Sequence, residues 1–455
     1  MAEVRVGTWA RGLSPAKLRE PRAAALWIFE RCVSSRQTAD SLRSRLAGRF
    51  DERDAAFLHR LTTDLLRWSR RLDDVIEQAG GRPIAAIDPR LLGPLRLGAV
   101  QLLLLGRVPA HAAVSTSVDL AGERSRAGAR FVNALLRKIA AADGLRSFPV
   151  RLRDPIERLA VEHSHGRFLV GRWVERFGEA RARRILEANN RDRPASLLAV
   201  RGVEAVEGVV RRLAEAGVEA HPSTVSPIGL LVDRGKPLAT SCYRQGEIYP
   251  QDEASQCAAL IPPPRPGEVV LDAAASPGGK TLSLLAWQAS AEVVAADHDL
   301  SRLGRLLANR HRVGATFRVV ASDARQPAMA ARFDRVIADL PCSGSGTLRK
   351  HPELKWRIDA GEIGRLARQA AMMLDGLAPL VRSGGYLVIA TCSLELEENE
   401  AQVMRLLDRH PEFELVPLEA KLVPAMEAAI EGPGRWRLYP EADHDGFTVH
   451  LLKRI

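Results

Sequence analysis

Apolar residues recur at helical spacing through the first third of the chain. Leu26, Phe29 and Val33 would share one face of a helix, and further series of this kind follow up to about residue 140. Such three-and-four spacing is typical of amphipathic helices that pack in a bundle. Asp51 is placed to cap one of these helices. Residues 15–145 are therefore predicted to form an all-helical domain.

The middle of the chain, residues 150–262, has a mixed pattern. Helical spacing spans 165–189 and again 206–216, and a short apolar run near 230–232 reads as a strand. Prolines at 262, 263, 264 and 266 then form a rigid break. This region is predicted to be a small α/β connector that ends at the proline cluster.

From residue 263 to residue 455 the pattern changes to short β-rich runs separated by helices. The runs that we interpret as strands are 269–272, 293–296, 318–321, 335–338 and 386–390. Strands that alternate with helices predict a mostly parallel, doubly wound, Rossmann-like sheet. A late run at 447–452 follows Asp445 and Gly446, and we expect it to be antiparallel and near an edge.

Size and charge narrow the class of protein. A chain of 455 residues exceeds what one hydrophobic core usually organises, which agrees with three domains. Lys and Arg number 66 against 55 Asp and Glu, a net charge of +11. This excess favours a polyanionic partner such as nucleic acid, but an Ala- and Arg-rich chain can be basic for other reasons. Charge alone therefore does not decide the partner.

Features that would indicate export, a membrane or a metal are lacking from the pattern. The first twenty residues have no apolar core of a secretion signal, and the most apolar stretch, 91–108, contains Arg96 and Arg107. The cysteines are odd in number and lack metal-ligand spacing: Cys32, Cys242, Cys257, Cys342 and Cys392. Scattered cysteines fit a reducing compartment. We therefore expect a cytoplasmic protein without a metal.

A glycine-rich turn follows the first strand of the predicted sheet and opens a helix. It consists of Ala274, Ala275, Ser276, Pro277, Gly278, Gly279 and Lys280. Paired glycines let the backbone approach a ligand, and a helix N-terminus offers free N–H groups to a carboxylate or phosphate. A single turn of this type also occurs for packing alone. Its place at the carboxyl end of a strand favours a nucleotide-type site.

Acidic residues end the next two strands. Asp297 lies some twenty residues beyond the glycine-rich turn, where a carboxylate can hold both hydroxyls of a ribose, and Asp323 could face an adenine. A single aspartate at such a position more often caps a helix or turn. The succession of strand ends favours the nucleotide interpretation.

Two cysteines follow the remaining strands directly. Cys342 stands in the segment Asp339-Leu-Pro-Cys342-Ser, and Cys392 lies between Thr391 and Ser393. A lone cysteine is usually a small buried apolar residue, and we interpret Cys32, Cys242 and Cys257 in that way. Two cysteines at ligand-facing strand ends instead predict chemistry, although the pattern does not say which is the nucleophile.

Taken together, these motifs resemble the cytosine-5 RNA methyltransferases of the Sun/RsmB (Fmu) family. The matching segments are 277–280, Asp297, Asp323, 339–342, 349–352, 355–356, 391–393, 398–400, 251–256 and 445–447. The N-terminal bundle separately resembles the NusB-type RNA-binding domain through 51–54, 97–101 and 131–137. Ala274 replaces a frequent Cys of the family and Ser276 a frequent Ala, both with small side chains that should preserve binding.

The resemblance implies S-adenosylmethionine as cofactor and a role for each site residue. Carbon 5 of cytosine is a poor nucleophile, so a thiolate must first add to carbon 6. The family pattern assigns this nucleophile to Cys392, and it assigns proton removal and product release to Cys342. Asp339 would bond the N3/N4 edge of the base, and Lys280 would orient that carboxylate or support the cofactor. The glycine-rich turn, Asp297, Asp323 and Asp339 would bind the cofactor.

The resemblance also implies the substrate. Pairing with a NusB-like domain indicates the branch that acts on small-subunit (16S) ribosomal RNA. Apart from the resemblance, we expect the protein to be a monomer. The target cytosine must be unpaired or flipped, because carbon 6 is unreachable within a stacked helix. Arg349, Lys350 and Lys355 are candidates for contacts to the RNA backbone, although each alone is more often a solvated surface charge.

Three alternatives remain open from the sequence. The same chemistry could act on transfer RNA. The chain could be a non-catalytic RNA-binding or antitermination protein, against which the intact Cys342 and Cys392 argue. A nicotinamide dehydrogenase would explain the glycine-rich turn but neither cysteine motif.

Overall fold

The computed structural model describes residues 4–5, 7–192, 194–330, 332–418, 424–441 and 444–455. The chain forms two units, each with its own core. The helical unit comprises residues 1–190 together with 348–359, and the sheet unit comprises 191–347 and 360–455. The segment 348–359 thus belongs to the helical unit although both of its flanks belong to the sheet unit.

The described part of the helical unit contains α-helices and short 3-10 helices. The α-helices are α1 Pro21–Ser34, α2 Ala39–Ser44, α3 Glu52–Gly80, α4 Pro89–Leu104, α5 Ala110–Gly122, α6 Arg126–Ala140, α7 Pro155–Glu162, α8 Arg167–Phe177 and α9 Glu179–Ala188. The 3-10 helices are Pro15–Lys17, Ile84–Ala86, Gly144–Ser147 and Pro352–Trp356. The predicted all-helical N-terminal region is confirmed.

Helix α3 shows how the sequence encodes this bundle. It begins where the side chain of Asp51 accepts a hydrogen bond of 2.8 Å from the backbone N–H of Asp54, as an N-cap should. Its apolar face, which includes Leu61 and Leu65, is fully buried in the core shared with α1 and α4. The cap predicted at Asp51 is confirmed.

The predicted helix over 165–189 is in fact two helices, α8 and α9. They are separated by Gly178, whose φ of 77° lies in the left-handed region that interrupts a right-handed helix. Apolar spacing continues in α9, which is why the pattern looked uninterrupted. The prediction of one continuous helix is wrong at this residue.

The connector continues into a small antiparallel sheet with the strand order β2-β3-β1-β4. Its elements are β1 Ala195–Ala199, α10 Val206–Glu215, β2 Glu219–Pro222, β3 Gly229–Arg234, α11 Ser241–Arg244, β4 Ile248–Pro250 and α12 Glu253–Ala259. The pattern predicted α10 and β3 but missed β2 and β4. Strand β2 is mostly exposed and β4 has three residues, so neither carries an apolar alternation.

The second sheet has the strand order β10-β12-β9-β8-β5-β6-β7, with β11 paired to β12. Its elements are β5 Val269–Asp272, α13 Gly279–Trp287, β6 Glu292–Asp297, α14 Leu300–Val313, β7 Arg318–Ala321, β8 Phe333–Asp339, α15 Ala360–Leu377, β9 Val381–Thr391, α16 Glu400–Arg409, β10 Phe413–Leu415, α17 Pro424–Ala428, β11 Arg435–Leu438 and β12 Phe447–Arg454. Strands β5 to β9 run parallel, as predicted.

Strand β12 pairs antiparallel with β9 and with the edge strand β10. The prediction of an antiparallel strand near an edge is confirmed, and the sheet as a whole is mixed. Because β5, β6, β8 and β9 are parallel, their last residues meet at one edge. These last residues are Asp272, Asp297, Asp339 and Thr391. None of the helices in the described residues is both long and apolar enough to cross a membrane.

Candidate active site

The glycine-rich turn joins β5 to α13. Gly278 has a φ of 116°, a conformation that L side chains rarely adopt, so glycine is required at this position. The turn is tied to the neighbouring strand because the N–H of Ala275 donates to the carbonyl oxygen of Ala296 at 2.8 Å. The turn therefore has a defined shape beside the ends of the parallel strands.

Two cavities open at this edge of the sheet, one of about 410 Å³ and one of about 180 Å³. The predicted site residues that line the larger cavity are Ala274, Asp297, Asp323, Asp339, Cys342 and Cys392. Those that line the smaller cavity are Ala274, Ala275, Ser276, Pro277, Gly279, Lys280 and Asp339. Gly278 lines neither cavity, and its role is to shape the turn. A wider groove of about 710 Å³ between α5 and α6 contains none of the predicted site residues.

Asp297 forms part of the wall of the larger cavity and is almost wholly buried. One carboxylate oxygen accepts from the N–H of Asp299 at 3.0 Å, and the other accepts from the N–H of Ser276 at 3.3 Å. These two backbone bonds hold the carboxylate in one orientation. Each oxygen keeps a further lone pair, which is what a pair of ribose hydroxyls would need.

Asp323 lies in the wall of the same cavity and is more exposed. It forms a forked hydrogen-bonded pair with Arg325, with an Nη2 to Oδ2 distance of 2.6 Å. The hydrogen bond from Arg325 lowers the pKa of Asp323 to about 2. Asp323 is therefore ionised at neutral pH, and the partner that ensures this was not recognised from the sequence.

Lys280 and Asp339 form an ion pair between the two cavities, with 2.5 Å between Nζ and Oδ2. Burial by itself would lower the pKa of Lys280, but the Asp339 carboxylate outweighs it and the pKa is raised. Nearby, burial raises the pKa of Asp272 to about 6, opposed by Lys280 and by a hydrogen bond from Thr281. Lys280 is therefore held as a cation that orients the Asp339 carboxylate.

Cys342 and Cys392, which are far apart in the chain, lie side by side. Their Sγ atoms are 3.5 Å apart, which is a hydrogen-bond distance for sulfur and too long for a disulfide. The hydrogen bond to Cys392, followed by burial, raises the pKa of the Cys342 thiol well above its usual value. The contact with Cys392 therefore favours the protonated form of Cys342.

A buried glutamate joins the two cysteine loops. Glu398 accepts from the N–H of Ser343 at 2.8 Å and from its hydroxyl at 2.7 Å. The hydroxyl of Ser393 lies 3.4 Å from that of Ser343 and 3.3 Å from that of Ser345. Burial raises the pKa of Glu398 to about 7, although the serine hydrogen bonds oppose this. These contacts hold the loop that follows β8 against the loop that follows β9.

Asn399 also holds the Cys392 loop in place, through two hydrogen bonds of its side chain. Its Oδ1 accepts from the hydroxyl of Thr391 at 2.6 Å, and its Nδ2 donates to the carbonyl oxygen of Ser393 at 3.0 Å. The N–H of Gly346 donates to the carbonyl oxygen of Cys392 at 3.0 Å. Glu398 and Asn399 were noticed only as parts of a family segment, because sequence spacing did not reveal these contacts.

Several residues that line the larger cavity were not predicted. His298 and Arg302 follow Asp297 at the end of β6, and Gln369 and Met373 lie one turn apart on α15. The first two could have been suspected from their position after a ligand-facing strand. The other two stand in a helix without a motif, and the sequence contained no signal for them.

The burial of several side chains decides the outcome for the predicted RNA contacts and for the three remaining cysteines. Lys355 and Arg349 are 2% and 4% exposed, and Lys355 donates to oxygens within the helical unit. The prediction that both contact the RNA backbone is therefore wrong, because neither side chain is open to a phosphate. The interpretation of Cys32, Cys242 and Cys257 as buried apolar residues is confirmed. Among the described side chains, no group of His, Cys, Asp and Glu is arranged to hold a metal.

A cavity at the carboxyl edge of parallel strands, with an acidic wall and a cysteine pair, fits the class that the sequence resemblance implied, an S-adenosylmethionine-dependent RNA methyltransferase. Residues 259–453 match the family model described as 16S rRNA methyltransferase RsmB/F. Residues 19–141 match the NusB family, and residues 165–239 match the ferredoxin-like domain of the RsmF/B-like methyltransferases. The predicted three-part fold is thereby confirmed.

Relatives that match along the whole chain extend this result. Ribosomal RNA small subunit methyltransferase B of Pseudomonas putida is 33% identical over 448 residues, which span 96% of this chain and 98% of that protein. Rv1407 of Mycobacterium tuberculosis, which carries a methyltransferase name without a stated substrate, is 37% identical over 96% of this chain and 97% of its own. The crystal structure of PH0851 is 27% identical with a TM-score of 0.76, covering 95% and 99% of the two chains.

The chain belongs to the RsmB/F family of methyltransferases. It is an S-adenosylmethionine-dependent enzyme that methylates carbon 5 of cytosine in RNA, as the resemblance implied. The interpretations as a dehydrogenase or as a non-catalytic RNA-binding protein are thereby wrong.

Proposed function

We propose that the RNA substrate is 16S ribosomal RNA, that Cys392 is the nucleophile and that Cys342 manages the proton. The observation that carries the roles is the pair of sulfur atoms 3.5 Å apart beside the Lys280–Asp339 ion pair. The similarity to a small-subunit rRNA methyltransferase over 98% of that protein, NusB-like region included, supports the substrate. The residue roles rest on the geometry and on the family motif.

The larger cavity fits S-adenosylmethionine. Its volume of about 410 Å³ is within the usual range for small-molecule sites. Asp297 would hold the ribose hydroxyls, and Asp323 and Met373 lie where a nucleoside base can be placed. The cofactor supplies a methyl group on a positively charged sulfur. The protein's part is to hold that group beside the cysteines and to exclude water from it.

The reaction on cytosine begins at carbon 6. The Cys392 thiolate adds there, and the electron pair of the C5–C6 double bond shifts to make carbon 5 nucleophilic. Carbon 5 would then take the methyl group, and the electron pair of the broken methyl–sulfur bond would stay on the sulfur of the cofactor. Loss of the proton from carbon 5 and breaking of the carbon–sulfur bond restore the double bond and the Cys392 thiolate. One proton is released for each methyl group transferred.

The contact between the two cysteines fits this sequence of steps. The raised pKa of Cys342 is due first to its hydrogen bond with Cys392. Once Cys392 is bonded to carbon 6, its thiol no longer shares this hydrogen bond, and burial is the main cause that remains. Cys342, 3.5 Å from Cys392, would then be the group that accepts the proton of carbon 5.

Asp339 is placed to recognise the base. Its carboxylate lines both cavities while its other contact, Lys280, keeps it oriented. A carboxylate at the N3/N4 edge of cytosine would stabilise the adduct as charge develops on the ring. Because the base must enter a site beside Cys392, the target cytosine has to be unpaired or flipped out of a helix.

The substrate is tested by bisulfite sequencing of 16S rRNA and tRNA from cells with and without the protein. We expect one or more cytosines of 16S rRNA to lose the methyl mark when the protein is absent. A loss confined to tRNA would contradict the ribosomal assignment and would leave the cysteine chemistry unchanged. Purified enzyme on 16S and tRNA transcripts supplies the direct control.

A further inference from the structure

The segment 348–359 belongs to the helical unit, although it lies between two elements of the sheet unit. The chain leaves the sheet unit after Thr347, shortly beyond Cys342, and returns at Ala360, the first residue of α15. Both flanks are functional: the first carries Cys342, and α15 carries the cavity residues Gln369 and Met373. Any movement of the segment therefore acts on both sides of the cavity through the chain itself.

Lys355 anchors this segment. Its ammonium group donates to the carbonyl oxygens of Arg67 at 3.2 Å and Ser164 at 3.3 Å, and to Oδ1 of Asn190 at 2.6 Å. A lysine has three N–H donors, and here each has an acceptor. Withdrawal of the segment would leave these three buried oxygens without their donor, and this loss disfavours it.

The neighbours of Lys355 add contacts to other helices of the same unit. The indole N–H of Trp356 donates to the carbonyl oxygen of Leu66 at 2.7 Å, and the ring packs against the core of the unit. The guanidinium of Arg357 donates to the carbonyl oxygen of Cys32 at 2.7 Å and to that of Gln37.

A carboxylate oxygen of Glu353 accepts from the N–H of Ala39 at 3.3 Å. Together with the contacts of Lys355, Trp356 and Arg357, this bond ties the segment to α1, α2 and α3, and to the residues that flank α7 and α9.

The stretch of chain between Cys342 and the segment 348–359 is short, and its backbone is hydrogen-bonded. Between Cys342 and the segment, the N–H of Thr347 donates to the carbonyl oxygen of Gly344 at 2.9 Å. At Gly346 a Cβ atom would lie 2.5 Å from the carbonyl oxygen of Gly446 and 2.9 Å from that of Cys392, so only glycine allows this close approach. The N–H of Gly346 donates to the carbonyl oxygen of Cys392, so a displacement at residue 348 would strain a contact to the Cys392 loop.

We propose that the helical unit positions Cys342 and the cavity face of α15 through the segment 348–359, so that Lys355, Trp356 and Arg357 are positioning residues for methyl transfer. This proposal rests on the roles assigned to Cys342 and Cys392. It gives the helical unit a function in the chemical step that is separate from any contribution to RNA binding. The alternative is that the segment only stabilises the helical unit.

The two possibilities are separated by matched tryptophan variants of the full-length protein. Trp356→Phe removes the bond from Nε1 to Leu66, and Trp9→Phe removes an equal bond of 2.7 Å from Nε1 to the carbonyl oxygen of Leu120. Both bonds lie in the helical unit, and only the first belongs to the segment. Each variant keeps an aromatic ring in place.

The measurement is the single-turnover rate at which the covalent adduct is resolved to methylated RNA, followed on a denaturing gel. The RNA carries ordinary cytidine, because proton loss from carbon 5 is the step assigned to Cys342. Wild-type protein is first tested on 16S and tRNA transcripts, and the RNA that reacts is used for the variants. Binding of S-adenosylmethionine and of that RNA is titrated separately.

We expect Trp356→Phe to slow resolution of the adduct to methylated RNA about tenfold, because small misplacements of reacting groups have effects of that size or larger. Its two binding constants and the rate of Trp9→Phe should stay within about twofold of wild type, a change too small to indicate lost contacts. An equal effect in both variants, or no effect in either, would overturn the positioning role. A reaction that occurs only with tRNA would overturn the proposed substrate and leave the positioning test intact.

A second pair of variants keeps the proposal testable if the tryptophan variants do not fold. Arg357→Met removes the contacts to Cys32 and Gln37, and Arg5→Met removes contacts to the carbonyl oxygens of Ile84, Ala85 and Ile87. Only the first is expected to slow resolution of the adduct. Equal rates in this pair would contradict the proposal.

Discussion

The sheet edge and the segment 348–359 each contain a buried lysine. The two lysines have different partners and different roles. At the sheet edge, Lys280 is paired with the carboxylate of Asp339, and this partner raises its pKa. In the helical unit, Lys355 donates to three uncharged oxygens, and burial with the nearby Arg67 lowers its pKa well below the usual value. The partner of a buried charge, and not its burial, distinguishes a reactive site from an anchor.

The same contrast applies to the cysteines. Cys342 and Cys392 lie in contact at the end of two parallel strands, whereas Cys32 is surrounded by the helical core. Burial raises the pKa of Cys32 to about 12, so its thiol stays protonated. The sheet edge thus brings two thiols together beside a cavity, whereas the helical core surrounds Cys32 with apolar side chains.

The largest effect is expected from the cysteine pair. Cys392→Ala should reduce methyl transfer by at least about three orders of magnitude, because loss of a nucleophile removes the reaction path. It should also abolish the covalent RNA adduct. Cys342→Ala should still form the adduct and release it slowly, as seen on denaturing gels. If Cys342→Ala loses the adduct and Cys392→Ala keeps it, the two roles are reversed.

Lys280→Met should slow turnover by about a hundredfold, because a positioned electrostatic contact near the reacting base commonly contributes this much. Lys355→Met is measured in the same assay as the variant of the other buried lysine, and we expect it to lower turnover less than Lys280→Met does. Turnover is measured with a saturating amount of S-adenosylmethionine. A Lys280→Met enzyme with normal turnover would show that the ion pair with Asp339 has only a structural role.

Asp297→Ala should weaken the binding of S-adenosylmethionine by roughly 1.5 to 3 kcal/mol for each charge-assisted hydrogen bond that is lost. Asp299→Ala is the matched control. Asp299 caps α14 by accepting from the N–H groups of Ser301 and Arg302, and it does not line the larger cavity. Calorimetry that shows equal cofactor affinity for wild type and Asp297→Ala would contradict the ribose assignment.

Lys355→Met should lower the free energy of unfolding by about 1 to 3 kcal/mol, because it leaves buried oxygens without a donor. Urea unfolding measures this loss, and the affinity for S-adenosylmethionine should be unchanged. A variant as stable as wild type would show that the three hydrogen bonds of Lys355 do not anchor the segment.

The smallest effect concerns the pH dependence of stability. Glu398 has its pKa raised by burial from 4.5 to about 7, so the folded protein binds this proton more tightly than the unfolded chain does. The stabilisation is therefore complete below pH 4.5 and is lost as the pH rises through 7. Glu398→Gln should remove this part of the pH dependence of the melting temperature. An unchanged pH profile would show that Glu398 is ionised in the folded protein.

Much of the fold and site could be predicted from local patterns. The strands β5, β6 and β8 each combine an apolar run with a terminal aspartate, and topology alone places such ends at one edge. What could not be predicted depends on partners distant in sequence. Gln369 and Met373 reach the cavity only because α15 packs there. Glu398 joins the loop after β8 to the loop after β9, and no regular spacing in the sequence indicates that contact.

The sequence by itself determined the helical region, the parallel sheet, the family and the candidate reactive residues. These depend on periodicity and on short motifs. Only the tertiary structure decided that Cys342 and Cys392 touch and that Lys355 is an anchor and not an RNA contact. It also decided that the helical unit includes residues 348–359, which sequence boundaries had placed in the methyltransferase domain. The physical reason is that the state of a charged or nucleophilic group depends on the atoms that surround it, and most of those atoms come from other parts of the chain.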